Sequence, residues 1–488
     1  MTEKRQQNSS GFLAPALFSF ITLRQEAFGG ILFNPFLSAE VELDKPESFI
    51  AGMCTGQHVV DEICEECQTA FGLTVETAAR KWDETLAKLN SAFAVQFIEK
   101  TLSRTSPPPK PVPRIGTPPF TAPKTVIWDV TYACDLSCPH CLTNSGRKSN
   151  RELDTKEAFR LIDILASAKI LYLSLTGGEP FARSDILELL THLADTSMRV
   201  DIATNGFHVS PKIIKCLRHL PVFQVQVSLD GIGEQHDRFR GREGAFENAC
   251  QALRRFKDEG LSTSINTTAT AQNIDLLGDL IDLAVELGCD AFKAIPFIPA
   301  GRGKQNESQL GLDRRGSLKL TRVLAKKSRE LAGRINISTE STFLFLLDPP
   351  IMSNVADGRM ICSAGYDELS VGADGTAYPC PFLHDFPLGN LLTDSIARIW
   401  HESTILNDLR MLEKRAMNGP CRTCEYAPEH CCGGCRASAF LACGDLKSSD
   451  PLCFRDLLAA GPTIETGQTI ESNRSPNKAI QRHGTRRR

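Results

Sequence analysis

The chain has 488 residues, 42% of them apolar and 23% charged, with a formal net charge of -3. That length exceeds one ordinary core and predicts about two to four domains. The near balance of charge excludes a chain that holds nucleic acid or anionic membrane by electrostatics alone, and neither is expected as a partner. In chain order, the apolar stretch 12–23 is too short to span a bilayer and has no small-residue cleavage site after it, so it is expected to fold. Strand-like runs over 18–34 and 39–44, then helical apolar spacing over 47–54, 59–71 and 75–97, predict a small α+β domain over 16–100. Eight prolines in 18 residues from Ser106 to Pro123 predict a stiff, extended linker over 101–123. Short β-branched or aromatic runs follow at 126–130, 170–175, 200–203, 223–229, 263–269 and 291–295. Helical stretches separate them, among them 155–168 with Asp154 as N-cap and 274–287 ending at Gly288. Six βα units predict a parallel sheet curved into a full or partial barrel over 124–345, with its chemistry at the C-terminal ends of the strands. Over 346–456 periodicity gives way to cysteine, glycine and proline, as when bound metal organises a segment. The polar segment 457–488, with six basic residues from Arg474 onward, is expected to be a disordered tail.

Eighteen cysteines, many in close groups, read as metal ligands and not as disulfide partners, which places the chain in a reducing compartment, the cytoplasm. Just after the first barrel strand stands Cys134-x3-Cys138-x2-Cys141. Three thiols this close can hold three corners of an iron–sulfur cubane and leave one iron open. A zinc site with His140 as fourth ligand is the alternative. The second strand ends in Thr176-Gly177-Gly178-Glu179-Pro180, where the glycines allow close approach to the backbone and Glu179 can accept from a ligand ammonium. A second array runs Cys362-x12-Gly375-x4-Cys380, then, 40 residues on, Cys421-x2-Cys424-x6-Cys431-x3-Cys435-x17-Cys453. Two zinc ribbons, and with them a non-enzymatic interaction protein, are the alternative there. Cys54, Cys64, Cys67, Cys216, Cys250 and Cys289 are expected to be ordinary buried thiols.

The cysteine loop, the Gly-Gly-Glu-Pro turn, Thr204-Asn205-Gly206 and Ser228-Leu229-Asp230-Gly231 together resemble the radical S-adenosylmethionine family. The resemblance implies a partial (β/α)6 TIM-type barrel in which Cys134, Cys138 and Cys141 hold a [4Fe–4S] cluster and the open iron chelates S-adenosylmethionine. It further implies His140 near the adenine, Gly177, Gly178, Glu179 and Pro180 at the amino group, and Asn205, Ser228, Asp230 and Arg240 facing the ribose or carboxylate. The second array resembles the SPASM extension of that family. By that likeness Cys362, Cys380 and Cys435 hold one auxiliary [4Fe–4S] cluster, and Cys421, Cys424, Cys431 and Cys453 a second. Two departures stand out. Six residues precede Cys431 where five are usual, and Cys432 adjoins it, so either is a candidate ligand. Where related enzymes place an extra cysteine this chain has Glu368 and Leu369, so the first auxiliary cluster is expected to have an iron open to substrate or held by a non-cysteine ligand.

Over 125–454 the chain resembles the mycofactocin maturases, notably at His140-Cys-Leu-Thr-Asn-Ser-Gly-Arg-Lys148, Pro299-Ala-Gly-Arg-Gly303 and Tyr378-Pro-Cys-Pro-Phe382. The N-terminal domain resembles the winged-helix-like PqqD-type peptide-recognition element at Leu23-Arg24-x3-Phe28-Gly-Gly-Ile-Leu-Phe33. Together these imply a maturase of a ribosomally made precursor peptide, fed electrons by a donor such as flavodoxin or ferredoxin. A tetrapyrrole decarboxylase or a sulfatase-type maturase is the alternative within the same chemistry.

Overall fold

The computed structural model of the chain describes residues 13–99, 120–339, 343–347, 362–412, 416–427 and 431–459. Most of the linker and the basic tail lie outside the described residues. The N-terminal module follows from local signals. Strands β1 (Leu13–Leu17), β2 (Thr22–Glu26), β3 (Gly29–Asn34) and β4 (Ala39–Asp44) precede helices α1 (Lys45–Met53), α2 (Val60–Phe71) and α3 (Val75–Ser91). Asp44 and Glu47 close a capping box at the start of α1, and α2 stops at Gly72 in the left-handed conformation. The helix expected over 75–97 is shorter: it ends at Ser91, the chain turns through Phe93 at φ 48, and β5 (Val95–Glu99) pairs antiparallel with β1. Leu32, Ile50, Ile63 and Leu89 form the module core, and Cys54 and Cys67 are buried in it. Strands β2, β3 and β4 form an antiparallel sheet with β4 at one edge.

The barrel strands are β6 (Thr125–Thr131), β7 (Tyr172–Gly177), β8 (Arg199–Thr204), β9 (Val222–Ser228), β10 (Thr263–Ala269) and β11 (Ala291–Pro296), each parallel to the next. Between and after them run α4 (Thr155–Ser167), α5 (Ile186–Leu193), α6 (Pro211–Leu217), α7 (Glu234–Arg240), α8 (Ala245–Asp258), α9 (Leu277–Glu286), α10 (Glu307–Leu310) and α11 (Arg314–Glu330). A parallel strand buried on both faces reads as continuous apolar sequence. These strands instead alternate: Leu173 and Leu175, Val200 and Ile202, Val225 and Val227 pack in the core that includes the helices, while Ser174, Thr176, Gln226 and Asn266 line a cavity. The polar half of the alternation marks a lumen that holds something other than side chains.

The sheet continues beyond the six expected strands. A seventh parallel strand, β12 (Asn336–Thr339), joins β11, and β13 (Glu368–Val371) joins β6, also in parallel. Strands β14 (Thr376–Tyr378) and β15 (Gly389–Asn390) complete a ten-stranded sheet. The Cys-rich domain therefore grows out of the barrel's own edge. Its helices are α12 (Ile396–Glu402), α13 (Thr404–Arg410), α14 (Arg436–Cys443) and α15 (Arg455–Ala459).

The N-terminal module is fixed to the barrel by polar contacts around a small apolar cluster of Ile31, Phe33, Phe120 and Leu171. Arg24 pairs with Glu26 at 2.6 Å and donates to the Pro123 carbonyl. Lys169 donates to the Leu23 carbonyl, Arg199 to that of Pro35, and Lys124 pairs with Glu40. Trp400 of α12 donates to the Phe120 carbonyl, so three domains meet at the end of the linker. Lys124, Tyr172 and Arg199 stand at the N-terminal ends of their strands, on the barrel face opposite the cysteine loop. Among the described residues no helix is long and apolar enough to cross a membrane.

Candidate functional site

At the end of β6 the chain enters the cysteine loop, which is pinned by the Cys134 N–H donating to the Gly146 carbonyl at 2.9 Å. Cys138 is buried, with the Arg240 guanidinium 3.5 Å from its sulfur. The Ser145 N–H donates to Cys141 Sγ at 3.3 Å. Burial pushes the Cys134 thiol up to about 12 and raises Cys138 too, with Arg240 opposing it. Such thiols keep their protons until a metal takes the charge. Among the described residues no three His, Cys, Asp or Glu side chains gather round a single metal-ion position. The three thiols instead line a cavity of about 190 Å³, a donor set that suits a multi-iron cluster.

The Gly-Gly-Glu-Pro turn serves this loop directly. A Cβ on Gly178 would stand 2.1 Å from the Ala133 carbonyl oxygen, and one on Gly177, at φ 120, would stand 2.3 Å from that of Thr131. The close approach foreseen for a ligand is made by the chain's own backbone: Gly178 N–H donates to Thr131 and Glu179 N–H to Ala133. Glu179 is fully buried and already accepts from Thr204 Oγ1 at 2.8 Å, Asn205 N–H at 2.7 Å and Phe181 N–H at 3.1 Å. Its carboxylate ties the ends of β7 and β8 together, and desolvation lifts its pKa to about 7. Pro180 is buried and opens a short 3-10 turn behind it.

Asn205, Ser228, Arg240 and His140 all line the 190 Å³ cavity, and Asp230 does not. It stands behind them, buried, with its carboxylate 2.6 Å from Arg240 and accepting from the Thr268 N–H. Arg240 is thereby aimed at Cys138. Of these two, Arg240 lines the cavity and Asp230 holds it in place. Breaking such a buried pair is costly, because the remaining charge is left uncompensated. His140 stacks on Phe239 at 4.7 Å, its Nδ1 is buried without a partner among the described residues, and desolvation drops its pKa to about 4. It is neutral at physiological pH and offers a flat face to the cavity.

Two positioning residues escaped the reading of the sequence. Arg302 donates to the Cys138 carbonyl at 2.9 Å and also to that of Ser145, while its own N–H donates to the Cys141 carbonyl. Asn306 donates to the Pro139 carbonyl at 3.0 Å. The segment after β11 thus grips the cysteine loop from outside, and Pro299-Ala-Gly-Arg-Gly303 was the signal available for it.

A second cavity of about 440 Å³ adjoins the first, sharing Thr176, Gly177 and Asn266 with it, and reaches Cys362, Cys380 and Cys435. Asp129 of β6 lines it, 2% exposed, with Oδ2 lacking a hydrogen-bond partner among the described residues and burial raising its pKa to about 7. The second array resolves into two groups. Cys380 packs against Cys362 and Cys435, and Cys431 stands with Cys421 and Cys453. Cys453 in turn faces Cys421 and Cys424.

Residues 128–284 match the family described as the radical SAM superfamily, and 362–425 match SPASM, an iron–sulfur cluster-binding domain. The chain is 32% identical over 353 residues to mycofactocin maturase MftC of Mycolicibacterium smegmatis, covering 70% of this chain and 86% of the relative. It is 30% identical over 355 residues to the AdoMet-dependent heme synthase of Methanosarcina barkeri, covering 68% of this chain and 97% of that one. SuiB of Streptococcus suis, solved bound to precursor peptide SuiA, superposes with a TM-score of 0.67 at 19% identity over 89% of this chain and 98% of that one. That coverage exceeds the barrel and Cys-rich domain together, so the shared fold takes in the N-terminal module.

Barrel and thiols define an enzyme that uses an iron–sulfur cluster to cleave S-adenosylmethionine. The chain belongs to the radical SAM superfamily and carries its SPASM domain, with [4Fe–4S] clusters and S-adenosylmethionine as cofactors.

Proposed function

We propose that the chain matures a ribosomally made peptide, holding the leader on its N-terminal module and modifying the core region in the barrel. The observation that carries this reading is a module whose strand β4 pairs with β3 alone among the described residues, built onto a radical SAM barrel whose lumen is a cavity of about 440 Å³. An extended leader would add beside β4 through main-chain hydrogen bonds. On β2 the barrel side supplies two such bonds, from Lys169 and Thr121 to the Leu23 and Gln25 carbonyls, whereas on β4 the exposed Lys88 side chain holds the Glu42 carbonyl and would have to give way.

Cys134, Cys138 and Cys141 would hold the radical cluster, Cys362, Cys380 and Cys435 a first auxiliary cluster, and Cys421, Cys424, Cys431 and Cys453 a second. When bound and supplied with one electron, cluster and S-adenosylmethionine provide a 5′-deoxyadenosyl radical able to take a hydrogen atom from carbon. The chain's own residues do the rest. Arg240 and Asn205 would meet the carboxylate with charge and amide N–H, Ser228 would meet the ribose, and neutral His140 would offer its ring to the adenine. Closure of the lumen excludes water from a reactive radical. The electron donor would be a flavodoxin or ferredoxin, and the working location the cytoplasm, where thiols stay reduced.

The alignment to a heme synthase favours a second reading, a tetrapyrrole side-chain decarboxylase, which leaves the N-terminal module without a task. The test is anaerobic reaction of the reconstituted enzyme with S-adenosylmethionine, dithionite and a leader-bearing peptide encoded near the gene. A changed peptide mass with one 5′-deoxyadenosine per event is expected. An unchanged peptide, with full activity on a porphyrin substrate, would overturn the proposal in favour of the decarboxylase.

A further inference from the structure

The doubled cysteine at 431–432 departs from the expected spacing, and its surroundings differ from one residue to the next. Cys431 stands among Cys421 and Cys453. Cys432, one residue on, has other neighbours: its sulfur accepts from the Cys362 N–H, and its thiol donates to the Gly434 carbonyl at 3.5 Å. The chain bends at Cys432 into the Gly433-Gly434 turn, and the two side chains have different neighbours. Cys362 and Cys435 pack in one cluster with Cys380, and all three line the 440 Å³ cavity. One sulfur thus has three others gathered round it.

The turn that delivers Cys432 is rigidly built. Gly433 and Gly434 both adopt left-handed backbone, at φ 88 and 84, and a Cβ on Gly434 would stand 2.4 Å from that of Asp450. The Arg436 guanidinium is buried and donates to the carbonyls of Gly433, Gly434, Leu446 and Ser448. Asp450 accepts from the Cys435 N–H at 2.8 Å. To join the cluster the Cys432 thiol would give up its contact with the Gly434 carbonyl and keep the one with the Cys362 N–H.

We propose that Cys432 is the fourth thiolate of the first auxiliary cluster, which is therefore fully ligated by Cys362, Cys380, Cys432 and Cys435 and has no iron open to substrate. Adjacent cysteines would then serve separate clusters, Cys431 the second and Cys432 the first, and a single peptide bond would join the two sites. Glu368, which lines the same cavity as Cys362 and Cys380, is the competing ligand. On binding iron the thiol gives up its proton, as every metal thiolate does. The first auxiliary cluster would then carry electrons and leave substrate binding to the lumen.

The inference rests on the reading of the second array as two cubane sites, and the experiment separates the two. Full-length protein with Cys134, Cys138 and Cys141 replaced by alanine is reconstituted anaerobically, so that only the auxiliary clusters contribute. About eight irons per chain are expected, four for each cubane. In that background Cys432→Ala should lower the iron to about seven or fewer and give a three-iron or altered cluster signal by electron paramagnetic resonance. Cys432→Ser should keep the iron while shifting the signal of one cluster, a change that a merely structural loss would not produce. Cys431→Ala should disturb the other cluster's signal, and Glu368→Gln neither. Unchanged iron and spectra in both Cys432 variants, or loss of the signal in Glu368→Gln instead, would overturn the proposal. A parent protein that takes up no iron would overturn the two-cluster reading itself.

Discussion

Asp129 is the side chain whose position is hardest to justify by stability alone. It is buried on a lumen-facing strand position with no positive partner among the described residues, and its carboxyl is raised from an ordinary 3.8 to about 7. The unfolded chain gives up this proton near pH 4 and the folded chain near 7, so folding is favoured below the first value. That advantage is lost as pH rises through the interval. An Asp129→Asn variant should therefore unfold at a higher temperature than the parent at pH 8, with the gap closing towards pH 4, as followed by circular dichroism. If the carboxyl accepts a hydrogen bond from the peptide, the same variant should turn over about tenfold more slowly, the worth of one such bond. Stabilisation together with lost activity is the signature of a site held under strain for function.

At the scale of elements, the turn after β7 and the cysteine loop form one unit, because Gly178 admits the Ala133 carbonyl where a methyl group would sit. Gly178→Ala should cost the protein about four irons on reconstitution, one cubane, measured by iron assay. Gly72→Ala, where nothing lies within 4 Å of the added carbon, should keep them all. The six barrel strands were legible in the sequence as β-branched or aromatic runs set between helical stretches, because parallel strands buried against helices demand those residue types. The sequence made the thiols and glycine turns legible because metal and tight backbone contact demand those residue types. It hid β5, since apolar spacing runs on through Phe93 and only the positive φ there breaks the helix. It also hid β12 to β15, two to four residues each, whose pairing depends on distant neighbours and not on their own pattern. The placement of Asp230 behind Arg240 was equally invisible, because burial of one behind the other is a property of the folded loop.

Across the whole molecule, the module, the barrel and the Cys-rich domain are fastened at Phe120 and its neighbours, and the module edge and the radical site lie at opposite ends of the barrel. Strand β6 alone spans seven residues, about 20 Å at 3.3 Å per residue. A peptide held on β4 must cover at least that depth before any of its carbons meets the cavity, which takes about six extended residues. Peptides shortened below that separation should bind as tightly as the parent, by fluorescence anisotropy, and emerge unmodified by mass spectrometry. Insertions of glycine and serine should be tolerated, since closing a longer loop adds little cost. With the leader on β4, as proposed, the docked module sets a least reach and no upper one, so that unrelated core sequences placed at or beyond that separation from the leader would be modified alike.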